Sequence, residues 1–380
     1  MDHTSLPPLD HKQPHHELQP PPQSNSTWLN RKTLSILVAF ILYISIYRPK
    51  FPSSHDVQNN LENSNLPLEF FDLSSLSGFF IQDEYHRDPR GFRIYHPKSS
   101  FGLIDHRSPD RWIRFKQQIE LLSKNSPRHV KHKVIFIARH GQGFHNLAES
   151  KYGTPMWDCY WSEKTTDGKL VWGPDARLSS LGKAEARVAE QAWTRELANH
   201  VPLPEIFISS PLSRAIETML ITGVWKHATN HSDHTNQPHP QIVVTENLRE
   251  NIGLHTCDRR RSKQSISIDF PVVEFENGFN DQDLLWTKDF QETDKQLDIR
   301  IKAALTRIFL DSKTSNLTYI SITAHSGVIS SLLRVLGHRP WPTETGGMIP
   351  LVVRATPKKT PTRPPNPGPS ATKPACPVSF

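Results

Sequence analysis

Five short apolar runs, alternating with helical patterns, constrain this chain more than any other feature. Val134–Ile137 is an uninterrupted β-branched and aromatic run, the pattern of a strand buried on both faces. Similar runs recur at Glu205–Ser209, Gln241–Val244, Thr318–Thr323 and Pro350–Arg354. Between them, apolar residues fall at helical spacing in Ser180–Asn199, Pro211–Trp225, Leu297–Leu310 and Val328–Leu336. This alternation predicts an α/β domain over residues 131–355, a three-layer sandwich with a mostly parallel sheet between helices.

The flanks read differently. Residues 1–30 are rich in Pro, His, Gln and Ser and are expected to be disordered. In the segment 31–50, Thr33–Tyr47 is an uncharged apolar run with Arg31 and Lys32 before it and Arg48 and Lys50 after it. A full membrane span takes about 20 residues, so this one needs tilting and snorkelling of its basic flanks. No small-residue cleavage site follows it, and it has almost no polar positions at helical spacing. The expectation is a single-pass membrane anchor, with a cleaved signal or a soluble, cytoplasmic chain as alternatives. Basic residues on both sides leave the orientation open.

Residues 51–65 read as a polar linker. Residues 66–130 are too thin in apolar residues for a core of their own and read as an extension packed on the main domain. Within them Trp112, Phe115, Ile119 and Leu122 mark one helix face. After Ala355 come ThrPro and ProPro repeats, so residues 356–380 are expected to lack fixed structure.

Composition agrees with a core smaller than the chain: 36% hydrophobic residues and 32 prolines. The net charge of +7 includes Lys358, Lys359, Arg363 and Lys373, in a tail without acidic residues. The folded part is only mildly basic, which argues against nucleic acid as a ligand. Three cysteines without CxxC spacing argue against a structural zinc site. In an oxidising compartment Cys159 and Cys257 could pair.

Chemistry concentrates directly after the strands. Ala138-Arg139-His140-Gly141-Gln142-Gly143-Phe144-His145-Asn146 follows the first buried run, where open α/β sheets place ligands. Arg139 offers a planar fork of donors for an anion, and His140 can attack phosphorus if one ring nitrogen is held as donor and the other left free. The next strand runs into Ser210-Pro211-Leu212-Ser213-Arg214, which puts Arg214 in the first turn of a helix, and another into Ala324-His325-Ser326-Gly327. Three strand ends thus deliver two arginines and two histidines toward one crevice.

The triple of RHG at 139–141, SSPLSRAIET at 209–218 and TAHSG at 323–327 resembles the histidine phosphatase superfamily, in its phosphoglycerate mutase-like branch. With SFGLID at 100–105, LRENIG at 248–253 and HTCDRRRS at 255–262, the chain looks most similar to fungal phosphomutase-like proteins. The resemblance implies a phosphohistidine on His140, with Arg139, Asn146, Arg214 and His325 holding phosphate oxygens. It implies a general acid at Glu250, with Glu246 as the rival position, and no metal or cofactor. His145 reads as orienting the loop or lying at the pocket rim.

The implied activity is hydrolysis of a small phosphorylated substrate. Gln142 stands where the mutase signature usually has Glu, which favours a phosphatase over a mutase. A non-catalytic, membrane-anchored protein of the same fold is the remaining alternative. The histidines of 226–240 and the run Arg259-Arg260-Arg261 read as solvated surface.

Overall fold

A computed structural model describes residues 68–235 and 240–377, the side chains of 231–235 excepted. The expected tail, anchor and linker at 1–30, 31–50 and 51–65 lie outside the described residues. Among the described residues, no helix is long and apolar enough to cross a membrane.

The five apolar runs form strands of one seven-stranded sheet. In chain order its strands are β1 (Glu69–Leu76), β2 (Lys131–Arg139), β3 (Ile206–Ser209), β4 (Ile242–Val244), β5 (Glu274–Phe275), β7 (Tyr319–Ala324) and β8 (Met348–Thr362). Their spatial order is β1-β8-β2-β7-β3-β4-β5, and only β8 runs against the others. A second, two-stranded sheet pairs β6 (Phe290–Gln291) with β9 (Ala371–Thr372).

Both faces of the sheet's centre are covered, which is why the buried stretches of its central strands are apolar at successive positions. Ile135 and Ile137 of β2 pack with Leu297, Ile301, Val328 and Leu332, from α8 (Asp294–Leu310) and α9 (Ser326–Val335). The alternate residues Val134 and Phe136 pack with Trp112, Phe115, Trp193 and Ile216 on the other face. Those come from α1 (Arg111–Asn125), α4 (Ser180–Leu197) and α5 (Ser213–Thr222). Each such side chain, fully buried, contributes about 1.5–3 kcal/mol.

The sheet order also creates the crevice. From β2 the chain moves through α4 to β3 on one side, and from β7 through α9 to β8 on the other. α4 and α9 lie on opposite faces, so the carboxyl ends of β2 and β7 part where the strand order reverses. Ligands of open α/β sheets bind at such points.

Two expectations about the flanks need correction. The segment 66–130 is more than an extension packed on the domain, because β1 adds an edge strand to the main sheet. The tail after Ala355 is ordered as far as Pro377. β2 stops pairing with β8 at Ala355, so Thr356–Thr362 pairs on one side only, with β1. A proline lacks an N–H to give, and a strand with one free edge accommodates Pro357 and Pro361. Lys358 donates to Glu69 at 2.8 Å and Lys373 to Glu163 at 2.8 Å, so two of the tail's charges are paired.

The rest of the tail crosses to β6, helped by Gln296 Nε2 donating to the Gly368 carbonyl at 3.2 Å, and ends in a disulfide. That disulfide joins Cys159 to Cys376, and Cys257 is free and buried. The Cys159–Cys257 pairing is therefore replaced by a partner 217 residues away. Closing so long a loop restricts the unfolded chain, a contribution of about 2–5 kcal/mol. Cys376→Ser should lower the urea midpoint accordingly, and a reductant should bring the parent protein down to the variant's value. Equal midpoints for the oxidised parent and the variant would show that the link contributes nothing to stability.

Candidate active site

Three strand ends meet at the crevice and each brings part of the site. β2 ends at Arg139 and turns through His140-Gly141-Gln142-Gly143 into α2 (Phe144–Tyr152). The turn presses against the start of α4, so a Cβ on Gly141 would lie 2.3 Å from the Gly182 carbonyl oxygen. β7 ends at Ala324, and His325 is the N-cap residue of α9.

β3 leads through Ser210-Pro211 to α5, whose N-cap is Leu212, so Pro211 precedes the helix and Arg214 lies in its first turn. Leucine cannot cap with its side chain. Asp175 does so from a distant loop, accepting from the Ser213 N–H at 2.7 Å and from its hydroxyl at 2.5 Å.

His140 is 2% exposed, and its Nδ1 stands 2.7 Å from the Gly141 carbonyl oxygen. A carbonyl only accepts, so Nδ1 carries the ring proton and Nε2 keeps its lone pair. Burial, then the fields of Arg214 and Arg139, hold its pKa well below the ordinary imidazole value, against the opposing Gly141 bond. At neutral pH the ring is uncharged. The rings of His325 and His145 lie 5.0 Å and 5.3 Å from it, centroid to centroid.

Arg214 is fully buried and donates to the Cys257 carbonyl at 2.8 Å and to Asp258 at 2.6 Å. Burial works against its charge, but Asp258, Cys257 and Asp175 together outweigh burial and raise its pKa. Arg139 donates to the Thr343 carbonyl at 2.9 Å. His325 Nε2 shares a 2.7 Å hydrogen bond with the Ser210 hydroxyl. Four buried nitrogens of this cluster, Nε of Arg139 and Arg214 and Nδ1 of His145 and His325, have no partner among the described residues. Buried polar atoms are rarely left so. Four in one cluster fit an anion with several oxygens.

Asn146 Oδ1 accepts from the Gly143 N–H at 2.9 Å, which leaves the amide NH2 as the donor. Glu250 accepts from the Gly327 N–H at 3.1 Å, and a Cβ on Gly327 would lie 2.2 Å from its Oε1. Burial and the nearby Asp258 raise the Glu250 pKa, opposed by the Gly327 N–H and both arginines. The rival, Glu246, is bound by Arg249 at 3.0 Å and by Arg260 at 2.8 Å and does not line the cavity.

Arg139, His140, Asn146, Arg214 and Glu250 line one cavity of about 270 Å³. His325 is fully buried directly beside His140. Larger clefts lie between β4 and α8 and beside Phe92 and Trp341. The first is lined by no histidine among the described residues, and in the second Arg90 and Arg93 are paired with Asp88 and Glu344, so the chemistry selects the smaller cavity.

Sequence reading undervalued His145, which is buried in the lining, and missed His255 and Asp258 as site residues. A buried arginine needs an anionic partner, and that need was the available signal for Asp258. Arg260 is buried against Glu246, and Arg261 pairs with Asp175 at 3.0 Å. Only Arg259 of that run is exposed as expected. His255, Cys257 and Asp258 bring possible metal ligands within 4.8 Å of one another. Asp258 is committed to Arg214, however, and burial pushes the Cys257 thiol well up, so the set fits a metal poorly.

Fold and cavity together define an α/β protein with an anion pocket built around a neutral histidine. The histidine phosphatase superfamily (branch 1) matches residues 135–345, and the chain belongs to it. A probable phosphoglycerate mutase of Arthroderma benhamiae is 38% identical over 294 residues, covering 74% of this chain and 84% of that protein. Phosphomutase-like protein 3 of Candida albicans is 37% identical over 221 residues, 58% of this chain and 65% of that protein. A probable phosphoglycerate mutase of Saccharomyces cerevisiae is 33% identical over 263 residues, 66% and 86% of the two chains.

His140, His145 and His325 are all held neutral by burial, their pKa values well below the ordinary one. The unfolded chain therefore takes up protons below about pH 6.5 that the folded chain refuses, and stability falls as pH falls, by about 1.4 kcal/mol per unit for each histidine. The raised Glu250 pKa acts in the opposite direction, but it is one group against three. The melting temperature should drop between about pH 7.5 and 5.5, and phosphate or vanadate should flatten the slope. A melting temperature that is constant or rises on acidification would contradict the neutral histidines.

Proposed function

We propose that this protein hydrolyses phosphate monoesters by way of a phosphohistidine on His140. The observation that carries the reading is the Nδ1 bond to Gly141, which leaves Nε2 free beside the unpartnered donors of Arg139, Arg214 and His325. In this reading Arg139, Asn146, Arg214 and His325 hold the phosphoryl oxygens. Nε2 attacks phosphorus in line, and the bond from phosphorus to the ester oxygen breaks. Protonated Glu250 gives its proton to the departing alkoxide. Glu250, now a carboxylate, takes a proton from the water that attacks the phosphohistidine, and inorganic phosphate leaves. The fixed cations stabilise charge on the equatorial oxygens, usually the largest contribution in such chemistry.

The names of the fungal relatives favour a second reading, a phosphoglycerate mutase. Against it, Gln142 replaces the usual glutamate of the mutase signature, and its side chain accepts from Ser179 at 2.8 Å instead of lining the cavity. Phosphate release without a bisphosphoglycerate primer separates the two.

We place the domain on the non-cytosolic side of a membrane, held by Thr33–Tyr47. The Cys159–Cys376 disulfide suits an oxidising compartment. The acceptor residues of two glycosylation sequons, Asn230 and Asn316, are exposed.

His140→Ala should lower kcat/KM toward an aryl phosphate by about a thousandfold or more; undiminished activity would remove the phosphohistidine. Glu250→Gln should slow alkyl esters, which need a proton, far more than aryl ones. Because the acid form of Glu250 is lost as pH rises, the variant should also lack the parent's alkaline decline. In cell fractions, the protein should sediment with membranes and shift in mass on glycosidase treatment. A soluble, unshifted protein would refute the placement.

A further inference from the structure

Beyond the phosphate-holding residues, the cavity is lined by side chains that the hydrolytic mechanism does not use. Glu149, Trp157, Asp158, Asn251, His255 and Gln291 are among them. Trp157 and Asp158 belong to α3 (Thr154–Cys159), and Gln291 to β6.

The charges of this wall are one-sided. Among the described residues, the arginines in the lining are Arg139 and Arg214, which the reading above assigns to the phosphoryl group, and no lysine lines it. Glu149 and Asp158 are both carboxylates. Glu149 accepts from the Thr154 hydroxyl at 2.9 Å, and Asp158 lies 3.6 Å from His255 Nε2, its side chain 39% exposed. Glu149 is close enough to act on the charge of Arg139.

A second anionic group on a substrate would face two carboxylates with no further arginine or lysine among the described residues to receive it, a repulsion that low-dielectric walls enlarge. Hydroxyl groups would find partners. Carboxylates accept from them, the amides of Asn251 and Gln291 both donate and accept, and the ring of Trp157 offers an apolar edge.

We infer that the site takes a monoester with a single anionic group, whose leaving part is an uncharged, hydroxyl-bearing alcohol of the polyol or sugar type. This rests on the phosphatase reading of the same cavity and goes further, because it excludes phosphoglycerates and bisphosphates as preferred substrates.

Glycerol 3-phosphate and 3-phosphoglycerate provide a matched test, since they differ in one terminal group, CH2OH against carboxylate. Each competes with an aryl phosphate, so its apparent affinity is read whether or not it is turned over, and kcat/KM follows where it is. The parent should favour glycerol 3-phosphate by about tenfold or more, from like-charge repulsion. The Glu149→Gln, Asp158→Asn double variant should bring the ratio toward one. The ratio is internal to each preparation, so a partly inactive variant does not distort it, and thermal melting reports that the variant has folded.

A parent that binds 3-phosphoglycerate as well as or better than glycerol 3-phosphate overturns the inference. So does a ratio that the double variant leaves in place, or a lack of competition by either compound. If the parent and His140→Ala handle the aryl phosphate alike, the phosphatase reading itself has failed, a separate result.

Discussion

The site depends on one buried ion pair. Arg214 has no solvent around it, yet Asp258 keeps it charged at 2.6 Å while the Cys257 carbonyl fixes the plane of its guanidinium. The pair ties the first turn of α5 to the loop at 255–262, so the cation stands still before any ligand arrives. Burial is the larger cause of the pKa shifts at both reactive groups, and the pair adds to it: Asp258 raises the Glu250 pKa against the pull of Arg214, and Arg214 lowers that of His140. A donor array fixed in advance needs no reorganisation when charge develops.

Around that pair the structure spends its remaining buried charges on positioning. Asp175 caps α5 and receives Arg261, so the helix that carries Arg214 is held at its start by a loop 38 residues upstream. Arg249 bridges Glu246 and Asp283, and Arg300 donates to the backbone carbonyls of Asn247 and Arg249 and to Glu292. These contacts secure both flanks of Glu250. Breaking such a pair strands a charge in the interior, which costs more than the pair itself contributes. The arginine-rich segment 259–261 is therefore mostly internal bracing and not an attractive surface.

The outer wall is built differently. A small cluster of Trp157, Trp172, Ala148 and Cys257 backs α3, and the C-terminal segment reaches it through the disulfide after pairing with β6. Asp158 on α3 and Gln291 on β6, both in the cavity lining, are thereby joined through one covalently anchored strap. Nothing near either cysteine in the sequence pairs them, because a contact across 217 residues is made by the fold and not by local pattern.

Local chemistry was enough for much of the rest. Continuous apolar runs identified the five long or buried strands, since only strands covered on both faces are apolar throughout. The short strands β5, β6 and β9 and the polar edge strand β1 carry no such pattern and were not legible. Arg139, His140, Arg214 and His325 were legible because polar residues directly after buried strands come to the carboxyl edge of the sheet; Asn146 and Glu250 were legible only through the resemblance to the family's motifs. The sequence by itself determined which side chains would gather there. The tertiary structure decided what each can do: the Gly141 carbonyl sets the tautomer of His140, Asp258 holds Arg214, and Glu246 is removed by two arginines while Glu250 faces the cavity. Those outcomes turn on backbone carbonyls and partners distant along the chain, for which residue order alone carries no signal.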